Sequence, residues 1–129
     1  MTRTLVIESA PRTKKNSLQR VKRGKRIFTV GSDAHRIWEQ KATWQLRTQW
    51  HESPWQCPVE VTALVYREKA IGDLVGFLQA IGDVLEKGGV IENDRQIASW
   101  DGSRLLKDTD RPRVEVEIRA LRDRRDRAC

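Results

Sequence analysis

Between Asp73 and Lys87 the apolar residues Leu74, Phe77, Leu78, Ile81 and Leu85 recur at i, i+3, i+4, i+7 and i+11. That spacing gathers side chains on one face of a helix. Gly88-Gly89 stops it, since a glycine just past the last turn can take the conformation that ends a helix. An amphipathic helix over 73–87 needs a surface to cover, and in 129 residues that surface must belong to the same single core.

The rest of the chain supplies it. Leu5-Val6-Ile7, ended by Ser9-Ala10-Pro11, reads as a strand leading into a loop. Leu18-Gln19-Arg20-Val21 and Arg26-Ile27-Phe28-Thr29-Val30 flank Lys22-Arg23-Gly24-Lys25, which suits a hairpin turned at the glycine. Ser32 offers an N-cap to a helix over 33–50, with Ala34, Ile37, Trp38, Lys41, Ala42 and Gln45 on one face. Val59, Val61, Ala63 and Val65 alternate with Glu60, Thr62, Leu64 and Tyr66, the pattern of a strand buried on one face and partly on the other. Val90-Ile91, 96–100 and the alternating 114–118 add two or three short strands. One mixed β-sheet packed with two main α-helices, a single-domain α+β fold over 1–121, accounts for this order. The charged run 122–129 has no apolar face and reads as a disordered tail.

Twenty-five Lys and Arg stand against 18 Asp and Glu, a net charge of +7, which favours a polyanionic partner. Seven cations fall between residues 14 and 26: Lys14 and Lys15 beside Asn16 in the loop, then Arg20, Lys22, Arg23, Lys25 and Arg26 on the hairpin. A basic loop and hairpin with Gly and Asn among the charges let both side chains and backbone N–H groups approach phosphate. These eight residues are the expected DNA contacts. No apolar run approaches the roughly 20 residues of a bilayer span, and the start turns polar too quickly for a signal peptide, so a cytoplasmic protein without a membrane role is expected. Cys57 and Cys129 have no metal-ligand spacing, and neither have His35 and His51, which read as helix-surface residues. Trp38, Trp44 and Trp50 recur every six residues and cannot share one helix face, so core or dimer packing is expected for most of the tryptophans.

Three carboxylates could carry chemistry. Asp73 opens the helix, as either a plain N-cap or a ligand held ionised by the helix dipole. Asp94, in a polar segment between apolar pairs, is either a turn residue or a metal ligand. The two can meet if the segment after Gly88 runs back antiparallel, because the helix rises about 22 Å and six extended residues reach roughly 20 Å. Asp101 is either half of an Asp-Gly turn or a third carboxylate. Asp83, about 15 Å along the helix from Asp73, is too far to share an ion with it and is left out.

The run Asp73-Leu74-Val75-Gly76-Phe77-Leu78-Gln79-Ala80-Ile81-Gly82-Asp83-Val84-Leu85, followed by Gly88-Gly89-Val90-Ile91-Glu92-Asn93-Asp94-Arg95-Gln96-Ile97, resembles the RusA family of crossover-junction endodeoxyribonucleases. The loop from Pro11 to Ser17 also resembles that family's N-terminal segment. The resemblance implies a RusA-like fold and a homodimer that resolves Holliday (four-way) DNA junctions by phosphodiester hydrolysis in recombination and repair. It also implies Mg²⁺, with Mn²⁺ as a substitute. Position by position, it puts metal-binding and catalytic carboxylates at Asp73 and Asp94, to which Asp101 would add a third catalytic carboxylate. The family's second helix aspartate falls on Val75, its next Asn on Gly76, its catalytic Lys on Gln79, and the first of its acidic pair on Asn93. Those departures define the alternative, a catalytically impaired RusA-like protein that binds DNA without cutting it; a basic module for an acidic protein partner is the third reading.

Overall fold

The computed structural model describes residues 1–13, 18–23, 26–31 and 33–121. Its elements are β1 (Thr2–Ile7), β2 (Leu18–Arg23), β3 (Arg26–Gly31), α1 (Asp33–Gln49), β4 (Val59–Arg67), α2 (Leu74–Lys87), a 3₁₀ turn (Asp94–Gln96), β5 (Ile97–Ser99), β6 (Arg104–Lys107) and β7 (Arg113–Ala120). β7 lies antiparallel between β1 and β4. On the far side of β4, β5 pairs in parallel with its beginning and β6 with its end. The sheet is therefore mixed and the fold is α+β, as the element order suggests. β2 and β3 form a separate antiparallel ribbon.

Strict alternation explains why β4 holds the centre. Val59, Val61, Ala63 and Val65 are each fully buried while the intervening residues are half-buried. They meet Val114, Val116 and Ile118 of β7 and Leu5 and Ile7 of β1 in one cluster with the buried residues of both helices. Each large aliphatic side chain so buried contributes on the order of 1.5–3 kcal/mol. On α2 the buried set is Phe77, Ala80, Ile81, Gly82, Val84 and Leu85, with Leu74 and Leu78 half-buried at its margin.

α1 is rotated from the face its sequence suggests. His35, Trp38, Ala42 and Leu46 point inward, while Ala34, Ile37 and Lys41 are exposed. The reason lies at the edge of β1. Gln49 both donates to the Val6 carbonyl (2.7 Å) and accepts from its N–H (2.8 Å), and Gln45 accepts from the Glu8 N–H (2.7 Å). The helix is thus clamped along a strand edge that would otherwise expose unpaired backbone groups. His35, expected on the surface, is only 8% exposed; His51 is exposed.

Two other expectations change. Val90-Ile91 forms no strand, because Ile91 makes only an isolated bridge to Trp55. β6 was not anticipated, since Arg104-Leu105-Leu106-Lys107 lacks period-two alternation. It follows the turn at Asp101-Gly102, where Gly102 has φ +82°, a conformation glycine takes at no steric cost. Trp38, Trp50 and Trp55 are core residues as expected, whereas Trp44 is 68% exposed. Among the described residues no helix is long and apolar enough to cross a membrane. The tail 122–129 lies outside the described residues.

Candidate active site

Asp73 is held where β4 hands the chain to α2. Arg67, at the end of β4, donates to the Gly72 carbonyl (3.0 Å), and Gly72 makes the bend with φ +91°. Asp73 then caps the helix, its Oδ1 accepting from the Gly76 N–H at 3.1 Å. A Cβ on residue 76 would stand 2.6 Å from that same oxygen, a distance real Cβ atoms do not reach. Glycine at 76 is therefore what lets the carboxylate lie across the helix start. The N-cap reading of Asp73 is correct, and a cap leaves its second oxygen open to a further role.

Asp94 begins the 3₁₀ turn, which is fixed by a reciprocal cap. Asn93 Oδ1 accepts from the Arg95 N–H (2.9 Å), and Gln96 Oε1 accepts from the N–H groups of Asn93 (2.9 Å) and Glu92 (3.0 Å). Gln96 also donates to the carbonyls of Trp55 (2.7 Å) and Cys57 (2.9 Å). Asn93, at the position of a family acid, thus spends its oxygen on the turn. The Asp94 N–H donates to Glu86 Oε1 (3.1 Å), pinning the turn against α2. The side chain of Asp94 packs by Gly82, its Cβ 3.7 Å from where a Cβ on 82 would lie.

The chain does run back along α2, but only part of the way. Gly82 lies nine positions after Asp73, about 13 Å of helix, so Asp73 and Asp94 line opposite stretches of one cleft. That cleft, of about 650 Å³, is bordered by Asp73, Asp83 and Asp94, by the apolar Val75, Leu78, Ile97 and Trp100, and by Thr13, His35 and Gln79. Asp83, which the helix spacing set aside, is the carboxylate that Asp94 faces. Partial burial pushes the Asp83 carboxyl above its ordinary range, the negative charge of Asp94 adds to this, and Lys87 opposes it. Glu39 of α1 pairs with His35 Nε2 (3.3 Å), which borders the cleft, and with Lys87.

Asp101 is elsewhere. It sits in the turn after Trp100, its carbonyl accepting from Thr62 Oγ1 (2.8 Å) and its N–H donating to Ser99 Oγ (3.1 Å), and it does not border the cleft. The turn reading of the Asp-Gly pair is the one realised. Among the expected DNA contacts, Lys14, Lys15, Asn16 and Lys25 lie outside the described residues. Arg20, Lys22, Arg23 and Arg26 belong to the β2–β3 ribbon, with Arg23 opposite Arg26. Thr13 is buried in the cleft wall beside Gly76.

Carboxylate oxygens are the donors Mg²⁺ takes, and this ion commonly uses one or two of them, completing its octahedron with waters and substrate phosphate. Asp73, Asp83 and Asp94 fit that mode. They do not form a closed cage: among the described residues no three His, Cys, Asp or Glu side chains converge on one point.

The sequence reading missed Asp83, His35, Gly82 and Trp100. Asp83 had no local signal: Ile91 bridges to Trp55 before the chain turns, so little length remains and Asp94 reaches only the later turns of α2. Nothing in the one-dimensional pattern marked His35, whose burial follows from the glutamine clamp on β1.

Residues 8–119 match the family described as endodeoxyribonuclease RusA. Over 95 residues, 72% of this chain and 72% of the relative, the sequence is 33% identical to the crossover junction endodeoxyribonuclease RusA of Aquifex aeolicus strain VF5. With the match spanning every strand and helix from β2 to β7 and the whole cleft, the chain belongs to the RusA family of endodeoxyribonucleases.

Proposed function

We propose that this chain is a Mg²⁺-dependent endonuclease that resolves four-way DNA junctions by hydrolysing phosphodiester bonds, with a role in recombination or repair. The observation that carries this reading is one cleft bordered by three carboxylates, on the helix and return turn that match the family. Asp94, with Asp83 beside it, would hold a largely hydrated Mg²⁺ at one end of the cleft, and Asp73, about 13 Å along the helix, would take a separate hydrated ion at the other. Mn²⁺ takes the same oxygen donors and would substitute. Bound there, the metal would orient a water and offset the charge that develops on the scissile phosphate. Lys14, Lys15, Asn16 and the cations of the β2–β3 ribbon would grip flanking phosphates and set the register of the strand.

Two copies of the chain complete the reading, since a four-way junction offers paired strands related by a two-fold axis, and an isologous dimer matches that symmetry. The working compartment is the cytoplasm, where such DNA would be met.

A second reading has its own observation. Val75, Gly76, Gln79 and Asn93 replace two acids, an amide and a lysine of the family pattern, and Asn93 is spent on a cap. A protein with these changes could grip junctions without cutting them. Incubating the full chain with a labelled synthetic four-way junction, with Mg²⁺ or with EDTA, separates the two. Metal-dependent paired nicks support the nuclease, while tight junction binding with no product at any metal concentration supports the binder.

A further inference from the structure

We propose that the outward face of α1 is the surface on which a second copy of the chain docks, with the two helices antiparallel; this rests on the reading of the chain as a homodimer and names its interface. Asp33, Ile37, Gln40, Trp44 and Arg47 follow one another at steps of 4, 3, 4 and 3 residues, the spacing that keeps one seam of a helix facing a partner helix. All are exposed, since α1 meets the core through His35, Trp38, Ala42 and Leu46 on its other side. Ile37 is 50% exposed and Trp44 68%. Two large apolar side chains two turns apart on one helix face are what an interface leaves uncovered in a single copy.

The order of those residues selects the occupant. In chain order they run acid, apolar, amide, apolar, base. An antiparallel copy, turned about an axis near Gln40, therefore lays Asp33 by the partner's Arg47 and Ile37 by the partner's Trp44, each contact made twice. A parallel copy would set acid on acid and base on base. Along the same face a groove of about 220 Å³ is lined by Glu39, Gln40, Thr43, Trp44 and Arg47. The last four stand at i, i+3, i+4 and i+7, the set that in packed helices receives one side chain of the facing helix, and the antiparallel copy brings its Ile37 level with that groove. DNA is the poorer occupant, because Arg47 is the seam's only cation and Asp33 would face phosphate. Contacts within one copy leave the seam available: Asp33 pairs with Arg36 on exposed surface, and Arg47 gives one N–H to the Lys87 carbonyl (3.1 Å) while keeping others. His35, the residue of α1 that borders the cleft, lies on the buried side of the helix, so the seam leaves the cleft open.

Sedimentation equilibrium of the full chain, alone and on a four-way junction without divalent metal, reads the assembly directly, and melting curves check that each variant keeps the parental fold. A single helix seam falls at the small end of protein interfaces, below about 1,200 Å², so the parent should dimerise in the micromolar range. Trp44→Ala should weaken dimerisation roughly tenfold or more, as truncating a central interface aromatic does. Asp33→Lys and Arg47→Glu should each weaken it several-fold, and the double variant should regain the parental value, because the pair returns with its signs exchanged. If Trp44→Ala dimerises as the parent does, this face is refuted. A double variant no better than the single ones refutes the antiparallel pairing, whether or not Trp44→Ala folds. Loss of junction affinity in Trp44→Ala with the dimer intact would give the face to DNA and refute it too. A parent that stays monomeric at every concentration, alone and on the junction, would instead overturn the homodimer reading, and this interface with it.

Discussion

Replacing Val75 by aspartate restores the family's second helix carboxylate, and its cost can be worked out in advance. Val75 is 66% exposed and borders the cleft, so the new carboxylate stays in water and no buried charge is created. An acid in the first turn of a helix gains about 0.3–1 kcal/mol from the helix dipole. Repulsion from Asp73 at roughly 6 Å in water returns about 0.7 kcal/mol. The two nearly cancel, and the melting temperature should move by no more than a few degrees. The metal should respond far more. One carboxylate about 4 Å from a divalent ion is worth about 2 kcal/mol in bulk water, twice the value for two unit charges. That is roughly a thirtyfold gain in affinity. Titrating Mn²⁺ or Mg²⁺ against both metal binding and junction cleavage should show both midpoints falling together. A folded Val75→Asp protein whose metal midpoints do not move would remove the start of α2 from the metal centre, and Asp73 with it.

Asp94→Asn and Asp73→Asn should each abolish cleavage while keeping junction affinity equal or slightly higher, because asparagine keeps the size and, at 73, the capping ability but not the charge. Cleavage at the parental rate in Asp73→Asn, measured on the same junction, would leave that residue only its cap. Replacing Lys14 and Lys15 together by alanine should weaken binding to all DNA and lower the slope of log affinity against log salt by about 1 to 2; an unchanged slope moves the phosphate contacts elsewhere. Arg111 hydrogen-bonds Glu8 and holds its carboxyl below the usual range. The stabilisation is present above the ordinary carboxylate pKa and is lost as pH falls through the lowered value. Glu8→Gln should therefore cost less than about 1 kcal/mol at neutral pH, the scale of an exposed pair, and the difference in melting temperature should vanish in acid.

Where side-chain periodicity was strong, the sequence was enough to read the fold. The apolar stripe of α2 and the alternation of β4 and β7 are repeated signals; the strands keep their inward faces, and α2 buries Phe77, Ile81 and Leu85 of its stripe while Leu74 and Leu78 stand at the margin. α1 was legible as a helix but not in its rotation, because two glutamines bonding a strand edge outweighed a weak apolar stripe. The 3₁₀ turn at Asp94 depends on Gln96 reaching the carbonyls of Trp55 and Cys57, some 40 residues away, which no local pattern encodes. The site was legible as residue types and an approximate meeting place. Which carboxylate meets Asp94 depended on how much chain Ile91 consumes in bridging to Trp55, a tertiary fact.

The charges of the cleft bear on whether the protein cuts or only binds. Asp73, Asp83 and Asp94 border a space meant, on either reading, to face polyanionic DNA; no Lys or Arg is among the described residues lining it, and the one cation near Asp83 among the described residues, Lys87, is paired with Glu39. Each carboxylate within about 4 Å of a phosphate costs about 1 kcal/mol even in bulk water, and more where the cleft lowers the dielectric. For a protein that needs only to hold a junction, those charges work against its single task, and neutral side chains of the same size would serve better. They become favourable once a divalent cation stands between carboxylate and phosphate. Energetically, then, the cleft makes sense with metal and DNA together, which is the condition for hydrolysis and not for binding alone.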